Sequence, residues 1–271
     1  YGDLLPHLSS CKSPQQMFGA VCKTYYAEKL GIPAEKISVV SIMPCTAKKF
    51  EKGRPFQSAA GVPDIDHVLT TRELARLIKR KGILFNNLPD EEYDTPLGIG
   101  SGAGLIFGVT GGVMEAALRT LQDVLTGKAQ DKIDFTAVRG VEGIKEAKYI
   151  LPVNGKDTEI KVAVASSLKN AKTLMDLVKA GKADYQFIEI MTCPGGCVNG
   201  GGQPIKDAYT RNTTDIRAER AKAIYDTDKG MKLRKSHENP FVQALYTEYF
   251  DKPNSHKAHE VLHTKYFVRG K

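Results

Sequence analysis

Tyr185-Gln-Phe-Ile-Glu-Ile190 runs straight into Met191-Thr-Cys-Pro-Gly-Gly-Cys197 and on to Asn199-Gly-Gly-Gly-Gln-Pro204. The first six residues have the apolar, β-branched and aromatic content of a short buried strand. The segment after them is almost free of side-chain bulk and carries two thiols. An earlier stretch repeats the arrangement: Ile37-Ser-Val-Val-Ser-Ile42 reads as a buried strand and empties into Met43-Pro44-Cys45. Reactive residues just past strand carboxyl ends, with helical patterns between the strands, predict an α/β fold.

Outward from these strands the punctuation is regular. Ser13-Pro14-Gln15-Gln16 reads as a helix start, with Ser13 as N-cap and Gln16 completing a capping box. Met17, Phe18, Val21, Cys22 and Tyr25 then supply a core-facing stripe. Thr70-x-x-Glu73 is a second capping box, after the strand His67–Leu69. Residues 98–112 hold seven glycines, and a helix over Val113–Leu125 succeeds them. Tyr149–Val153 and Glu159–Ala165 flank Asn154-Gly155, a favoured hairpin turn. Ser167 opens another helix through Leu174, Leu177 and Val178. Beyond about residue 206 strand signals vanish, so that segment reads as helices wrapping the core. It carries 14 Lys and Arg against 9 Asp and Glu, and four of the six histidines. The divisions expected are a first lobe over 1–97, a second over 98–205 and a helical segment over 206–271.

Composition is that of a globular chain, with 271 residues, 41% hydrophobic and 26% charged. That excludes disordered and collagen-like classes. No apolar run reaches the roughly 18 residues of a membrane span, so no membrane association is expected. The net charge of +8 suits an acidic protein partner or nucleic acid equally. Tyr1 stands where an initiator Met would, and no signal-peptide pattern comes after it, so we expect a fragment of a cytoplasmic protein. Five scattered cysteines make a poor disulfide framework and fit a reduced metal or redox protein.

Cys193 and Cys197 lie four residues apart on a glycine-rich loop, a spacing at which both thiolates reach one metal centre. Glycines let the backbone approach inorganic sulfide and donate N–H groups to it. Zinc is the rival, although structural zinc sites present such pairs in twos. Cys45 also comes just after a strand end, and Lys48 one helical turn on brings a cation. Cys22 falls on the core stripe, and Cys11 has no metal-like spacing. The glycine run at 98–112 fails the dinucleotide pattern and lacks Gly-Lys-Ser/Thr. Its better account is close approach of backbone to a bound group. His259-Glu260-Val-Leu-His263 matches the zinc-peptidase HExxH, but the extended pattern fails at Tyr266 and Arg269.

Met43-Pro-Cys-x-x-Lys-x-x-Glu51 and Glu189-x-Met-x-Cys-Pro-Gly-Gly-Cys-x-x-Gly-Gly-Gly-Gln-Pro204 together resemble the catalytic domain of iron-only ([FeFe]) hydrogenases. The resemblance extends through Leu8-Ser-Ser-x-Lys-Ser-Pro-Gln-Gln16, Thr70–Leu74, Ser101–Gly108, Gly111–Ala116, Lys235–Asn239 and Ala258–His263. It implies two lobes, each a small, mostly parallel sheet flanked by helices, with a metal cluster in the cleft between them. It implies reversible oxidation of H2 at an H-cluster, a [4Fe-4S] cubane joined through one thiolate to a two-iron unit with CO, CN and azadithiolate ligands. By resemblance, Cys45, Cys193 and Cys197 are metal ligands, with Cys197 as the bridge. Lys48 donates to an iron-bound cyanide; Met43, Met191 and Phe107 line the pocket, with Pro14 and Gln15 beside it. Ser9 supplies a hydroxyl in the proton path. Ferredoxin or a similar acidic carrier and hydrogenase maturation proteins are the implied partners, in an anaerobic setting and with no role for nucleic acid. The family's first signature, Thr-Ser-Cys-Cys-Pro-x-Trp, is absent, so the fourth thiolate is expected upstream of Tyr1. A non-catalytic iron–sulfur scaffold or a hydrogen sensor of the same superfamily is the alternative.

Overall fold

The computed structural model describes residues 1–140, 143–153 and 155–268. The chain forms two compact units, and the first is discontinuous, built from Tyr1–Gly98, Gly201–Pro204 and Gln243–Lys271. Among the described residues no helix is long and apolar enough to cross a membrane. The helix Pro14–Val21 continues through a π-turn at Cys22–Tyr26 into Ala27–Leu30, and Gly31 at φ 65° ends it. Strand β1 (Val40–Met43) pairs in parallel with β2 (His67–Thr70), from Val40 opposite His67 to Met43 opposite Thr70. The crossover carries the short helix Ala47–Glu51. Thr70 and Glu73 form the expected capping box at the start of the helix Thr71–Arg80.

One core of this unit joins Ala20 and Val21 to Phe250, Ala258, Val261 and Leu262, and a second joins Cys22, Val39, Ile65 and Val68. The two ends of the unit are stitched by main chain: Lys12 N–H donates to Leu262 O at 2.9 Å and Thr264 N–H to Ser10 O at 2.7 Å. Beside this pairing Lys12 and Asp64 form a buried ion pair at 2.7 Å.

The second unit comprises Ile99–Gly200 and Ile205–Val242. Its sheet has the order β3-β4-β5, with β3 (Ile144–Val153) antiparallel and β5 (Phe187–Met191) parallel to β4 (Lys156–Ser166). Alternation along β4 covers both faces. Val162 and Val164 pack with Met114 and Leu118 of the helix Gly112–Thr126, while Ala163 and Ala165 pack with Leu174 of the helix Leu168–Lys179. Gly155 adopts φ 75° in the β3–β4 turn; its expected partner Asn154 lies outside the described residues.

The α/β class stands, and four details differ from the sequence reading. The second sheet is mixed, because its longest pairing is the hairpin. The segment 206–271 divides between the units at residues 242 and 243. Ser13 makes no cap hydrogen bond; its hydroxyl donates instead to Glu51 at 2.7 Å, so no capping box forms with Gln16. Expected core positions are open: Phe18 is 51% exposed, Val40 50% and Ile42 40%. A two-stranded sheet leaves the outward side of Val40 and Ile42 uncovered, and Phe18 projects from the open side of its helix.

The glycine run serves the chain's own packing. A Cβ on Gly112 would lie 1.7 Å from Ile106 O, so only glycine lets the helix Gly112–Thr126 begin there. That helix carries the charged centre of the unit. Arg119, Glu115 and Asp228 are essentially inaccessible to solvent. Arg119 forks onto both Asp228 oxygens at 2.9 and 2.8 Å and reaches Glu115 at 2.7 Å. Arg139 and Arg234 close the network against Glu115 and Asp228.

Breaking such a buried pair costs about 3–5 kcal/mol because the remaining charges stay buried and uncompensated. Arg119→Leu is therefore expected to destabilise the second unit by about that amount, read as a lowered urea midpoint by circular dichroism. Burial by itself would raise the Asp228 carboxyl's pKa, but hydrogen bonds from Arg119 and Arg234 more than offset it and hold it below the ordinary range. A depressed folded-state value contributes stability above the unfolded pKa, near 4, that is lost as pH falls through the folded value. The urea midpoint should accordingly hold down to about pH 4 and drop below it; a midpoint unchanged to pH 2 would contradict this linkage.

Candidate metal centre

In the first unit Cys45 lies two residues beyond β1, half-buried, with Met43 and Pro44 similarly placed. The turn is pinned from behind: Gly202 N–H donates to Pro44 O at 2.8 Å, and Arg72 holds Gly201 O at 2.7 Å. One helical turn on, Lys48 Nζ sits 3.0 Å from each oxygen of Glu51. Glu51 also accepts from Ser13 Oγ at 2.7 Å and Gln15 Nε2 at 2.8 Å. Gln15 is buried and its Oε1 accepts from Ser41 Oγ of β1 at 2.7 Å. The structure thus brings Gln15 and Lys48 together through Glu51. Pro14 is exposed at the first position of its helix. Ser9 is exposed, and its Oγ accepts from Cys11 N–H at 3.3 Å.

In the second unit β5 delivers Met191 and then the cysteine loop. Met191 O accepts from Ser167 N–H at 2.8 Å, which fixes the strand's exit. Cys193 and Cys197 are both half-buried. Between them Gly195 and Gly196 take φ 84° and 94°. At Gly196 a Cβ would fall 2.7 Å from Thr110 N, so the turn admits no side chain. The loop is clamped to the glycine run by Thr110 N–H to Gly195 O (3.2 Å) and Val198 N–H to Gly108 O (3.0 Å). Arg220 braces Val198 O at 2.9 Å.

Phe107 ends the helix Gly102–Ile106, packs near Ile106 and Ala116, and lines an open apolar groove of about 620 Å³ with Met114, Val162 and Phe187. Among the described residues neither Met191 nor a cysteine lines that groove. Cys22 is buried, and burial pushes its thiol up to about 11, so it stays protonated and packs as a small apolar side chain.

Two positioning residues escape the sequence reading. Glu51 stands in the quoted motif without a role, although its i,i+3 spacing from Lys48 is that of a helical ion pair. Glu189 is the one buried residue of β5. Its oxygens accept from Gly111 and Met114 N–H at 2.7 Å each, at the start of the helix Gly112–Thr126. Burial raises its pKa, and the backbone donors pull the other way. A charged residue inside an apolar strand needs such donors, and that is the signal the sequence offers.

The donor chemistry fits a thiolate-held iron group. Soft thiolates on a rigid, glycine-lined loop select iron–sulfur clusters or zinc. Beside the loop Thr110 Oγ1 is buried with no protein partner, a hydroxyl available to an acceptor such as sulfide.

Comparison with known proteins points the same way. The family described as "Iron only hydrogenase large subunit, C-terminal domain" matches residues 1–201, and "Iron hydrogenase small subunit" matches 214–269. NADP-reducing hydrogenase subunit HndD of Solidesulfovibrio fructosivorans is 51% identical over 269 residues, covering 99% of this chain and 44% of that protein. Protein NAR1 of Arabidopsis thaliana is 34% identical over 276 residues, covering 97% of this chain and 57% of that protein. The chain spans about half the length of the curated relatives it matches. Among solved structures, a variant of apo [FeFe]-hydrogenase HydA1 from Chlamydomonas reinhardtii superposes with a TM-score of 0.81 at 42% identity, covering 98% of this chain and 72% of that one. By the match over residues 1–201 and by these relatives, the chain belongs to the iron-only hydrogenase large subunit, C-terminal domain family.

Proposed function

We propose that the chain is the cofactor-bearing part of a hydrogenase that interconverts H2 with protons and electrons, exchanging electrons with ferredoxin or a similar acidic carrier. The observation that carries this reading is the joint presence of two thiol loops at strand ends and of Lys48 held by Glu51 one turn after Cys45. A plain four-iron scaffold needs the thiols but not the lysine. When bound, the H-cluster, a [4Fe-4S] cubane joined to a two-iron unit bearing CO, CN and azadithiolate, supplies the electron and hydrogen chemistry.

The chain's own residues have separate tasks in this reading. Cys45, Cys193 and Cys197 would provide thiolates to the iron–sulfur group, Cys197 by resemblance being the one shared with the two-iron unit. Glu51 orients Lys48, whose Nζ donates toward a cyanide ligand, and Ser13 and Gln15 fix Glu51. Met43 and Met191, half-buried beside the two thiol loops, would limit water at the bound group and Gln15 backs Glu51, whereas Pro14 is exposed and Phe107 lines a separate groove. Ser9 Oγ accepts from Cys11 N–H, which leaves its O–H as a donor that passes a proton. Maturation proteins deliver the two-iron unit.

A second reading rests on the similarity to Protein NAR1, since other relatives are named as cytosolic Fe-S cluster assembly factors. It makes the chain a scaffold without turnover. Infrared spectroscopy of the full-length, matured protein separates the two, because bands of iron-bound CO and CN belong to the hydrogenase alone.

Cys197→Ser is expected to abolish those bands and H2 evolution together, since an alkoxide is a poor bridge between irons; normal turnover would refute the assignment. Lys48→Asn removes a charge-assisted hydrogen bond worth about 1.5–3 kcal/mol, or roughly 10- to 150-fold in rate. Glu51→Gln should fall between wild type and Lys48→Asn in a gas-chromatographic H2 assay. An unchanged rate in both variants at full iron occupancy would show that the pair has no part in turnover.

A further inference from the structure

His256, His259, Glu260 and His263 have the spacing i, i+3, i+4, i+7, which in a continuous helix would put four metal-competent side chains on one face. The zinc-peptidase geometry that His259-Glu260-x-x-His263 suggests is not formed. The helix His256–Leu262 stops before His263, which is extended (φ −113°, ψ 158°). Glu260 instead faces back to His256, with Oε1 3.4 Å from Nδ1. The feature that does form is an open cavity of about 600 Å³ whose wall includes all four residues together with Ser10 and Thr264.

We propose that this cavity is a non-catalytic site for a borderline divalent transition metal, zinc above all, distinct from the cysteine loops. The rings of His259 and His263 lie with centroids 4.0 Å apart and a tilt of 33°. Binding would require the exposed His259 ring to turn so that both imidazoles present a nitrogen to one ion. Ser10 Oγ lies 2.8 Å from His263 Nδ1, a bond that orients the ring and leaves Nε2 as the ligand atom. Glu260 offers a carboxylate once it turns from His256, and His256 a third imidazole. Imidazole with carboxylate is a donor set for Zn2+, Ni2+ or Cu2+ rather than Ca2+ or Mg2+. Two cations share the cavity wall: Lys12 is neutralised by Asp64, and the Lys265 ammonium lies over the Phe56 ring.

A tighter trio exists in the second unit, Asp123, His237 and Glu238. It carries no such reading, because the Lys235 ammonium already sits 2.6 Å from Asp123 and 3.2 Å from Glu238.

The test is Zn2+ binding to the full chain by equilibrium dialysis, alongside the double variant His259→Ala/His263→Ala. Wild type should hold one equivalent more than the double variant. Co2+ substituted into that equivalent should give d–d bands without sulfur-to-cobalt charge transfer, which separates it from metal on the cysteines. Ser10→Ala should keep the stoichiometry and weaken binding about 10- to 100-fold, the usual cost of losing a group that orients a ligand. His259 is exposed, so His259→Ala alone tests the site in a chain whose circular dichroism matches wild type. If that folded variant, or the double variant, binds zinc with unchanged stoichiometry and affinity, the site does not exist.

Discussion

Glu189 is the constraint on which the second unit turns. It stands in the strand that delivers the cysteine loop, and it closes the N-terminus of the helix that carries Arg119. A helix start offers unpaired N–H groups and a partial positive charge, and a buried carboxylate needs both. Each therefore makes the other tolerable inside the protein. Glu189 ties the strand to the helix start, and the Ser167–Met191, Thr110–Gly195 and Val198–Gly108 backbone bonds add to that tie at the strand's exit and along the glycine run. The loop geometry at Gly195 and Gly196 is then held by backbone bonds, without side chains that would crowd the thiols.

The first unit uses a different device for the same end. Lys48 is the second residue of a five-residue helix, too short to hold a side chain by itself. Glu51 gathers Ser13, Gln15 and Lys48, and Gln15 reaches back to Ser41 in β1. The ammonium is thereby tied to the strand that leads into Cys45. A flexible cation becomes a positioned one through a carboxylate that neutral, hydrogen-bonded side chains hold in place.

The α/β class, the second capping box, the β3–β4 hairpin and both thiol loops are legible in the sequence, because each rests on local chemistry: caps, turn residues and thiol spacing. Burial is less so. Ile37–Ile42 and Tyr185–Ile190 look like buried strands, yet Ile42, Phe187 and Ile190 are about 40% exposed while Glu189 is buried. Hydrophobicity reports what a side chain tolerates, whereas burial depends on which neighbours arrive, and small sheets supply few. The role expected of the glycines at 98–112 fails at Gly112 for a related reason. A missing Cβ signals close approach, but the sequence does not say to what, and there it is Ile106 of the same chain. Ser13 does not act as the expected cap because its hydroxyl finds a charged acceptor 38 residues away that outcompetes the local backbone.

The first unit is assembled from pieces that leave the ribosome far apart in time. Its opening segment pairs through Lys12 with Leu262, so closure waits until all of the second unit has been made. Synthesis at about 5–20 residues per second separates those events by roughly ten seconds or more. During that interval the helix beginning at Pro14 lacks Phe250, Val261 and Leu262, the residues that cover its inner face. The second unit, interrupted only by Gly201–Pro204, can complete its sheet first. Folding of these two units then runs against their order in the chain, with the helix at Pro14 finishing after the second unit and exposed to chaperones in the meantime.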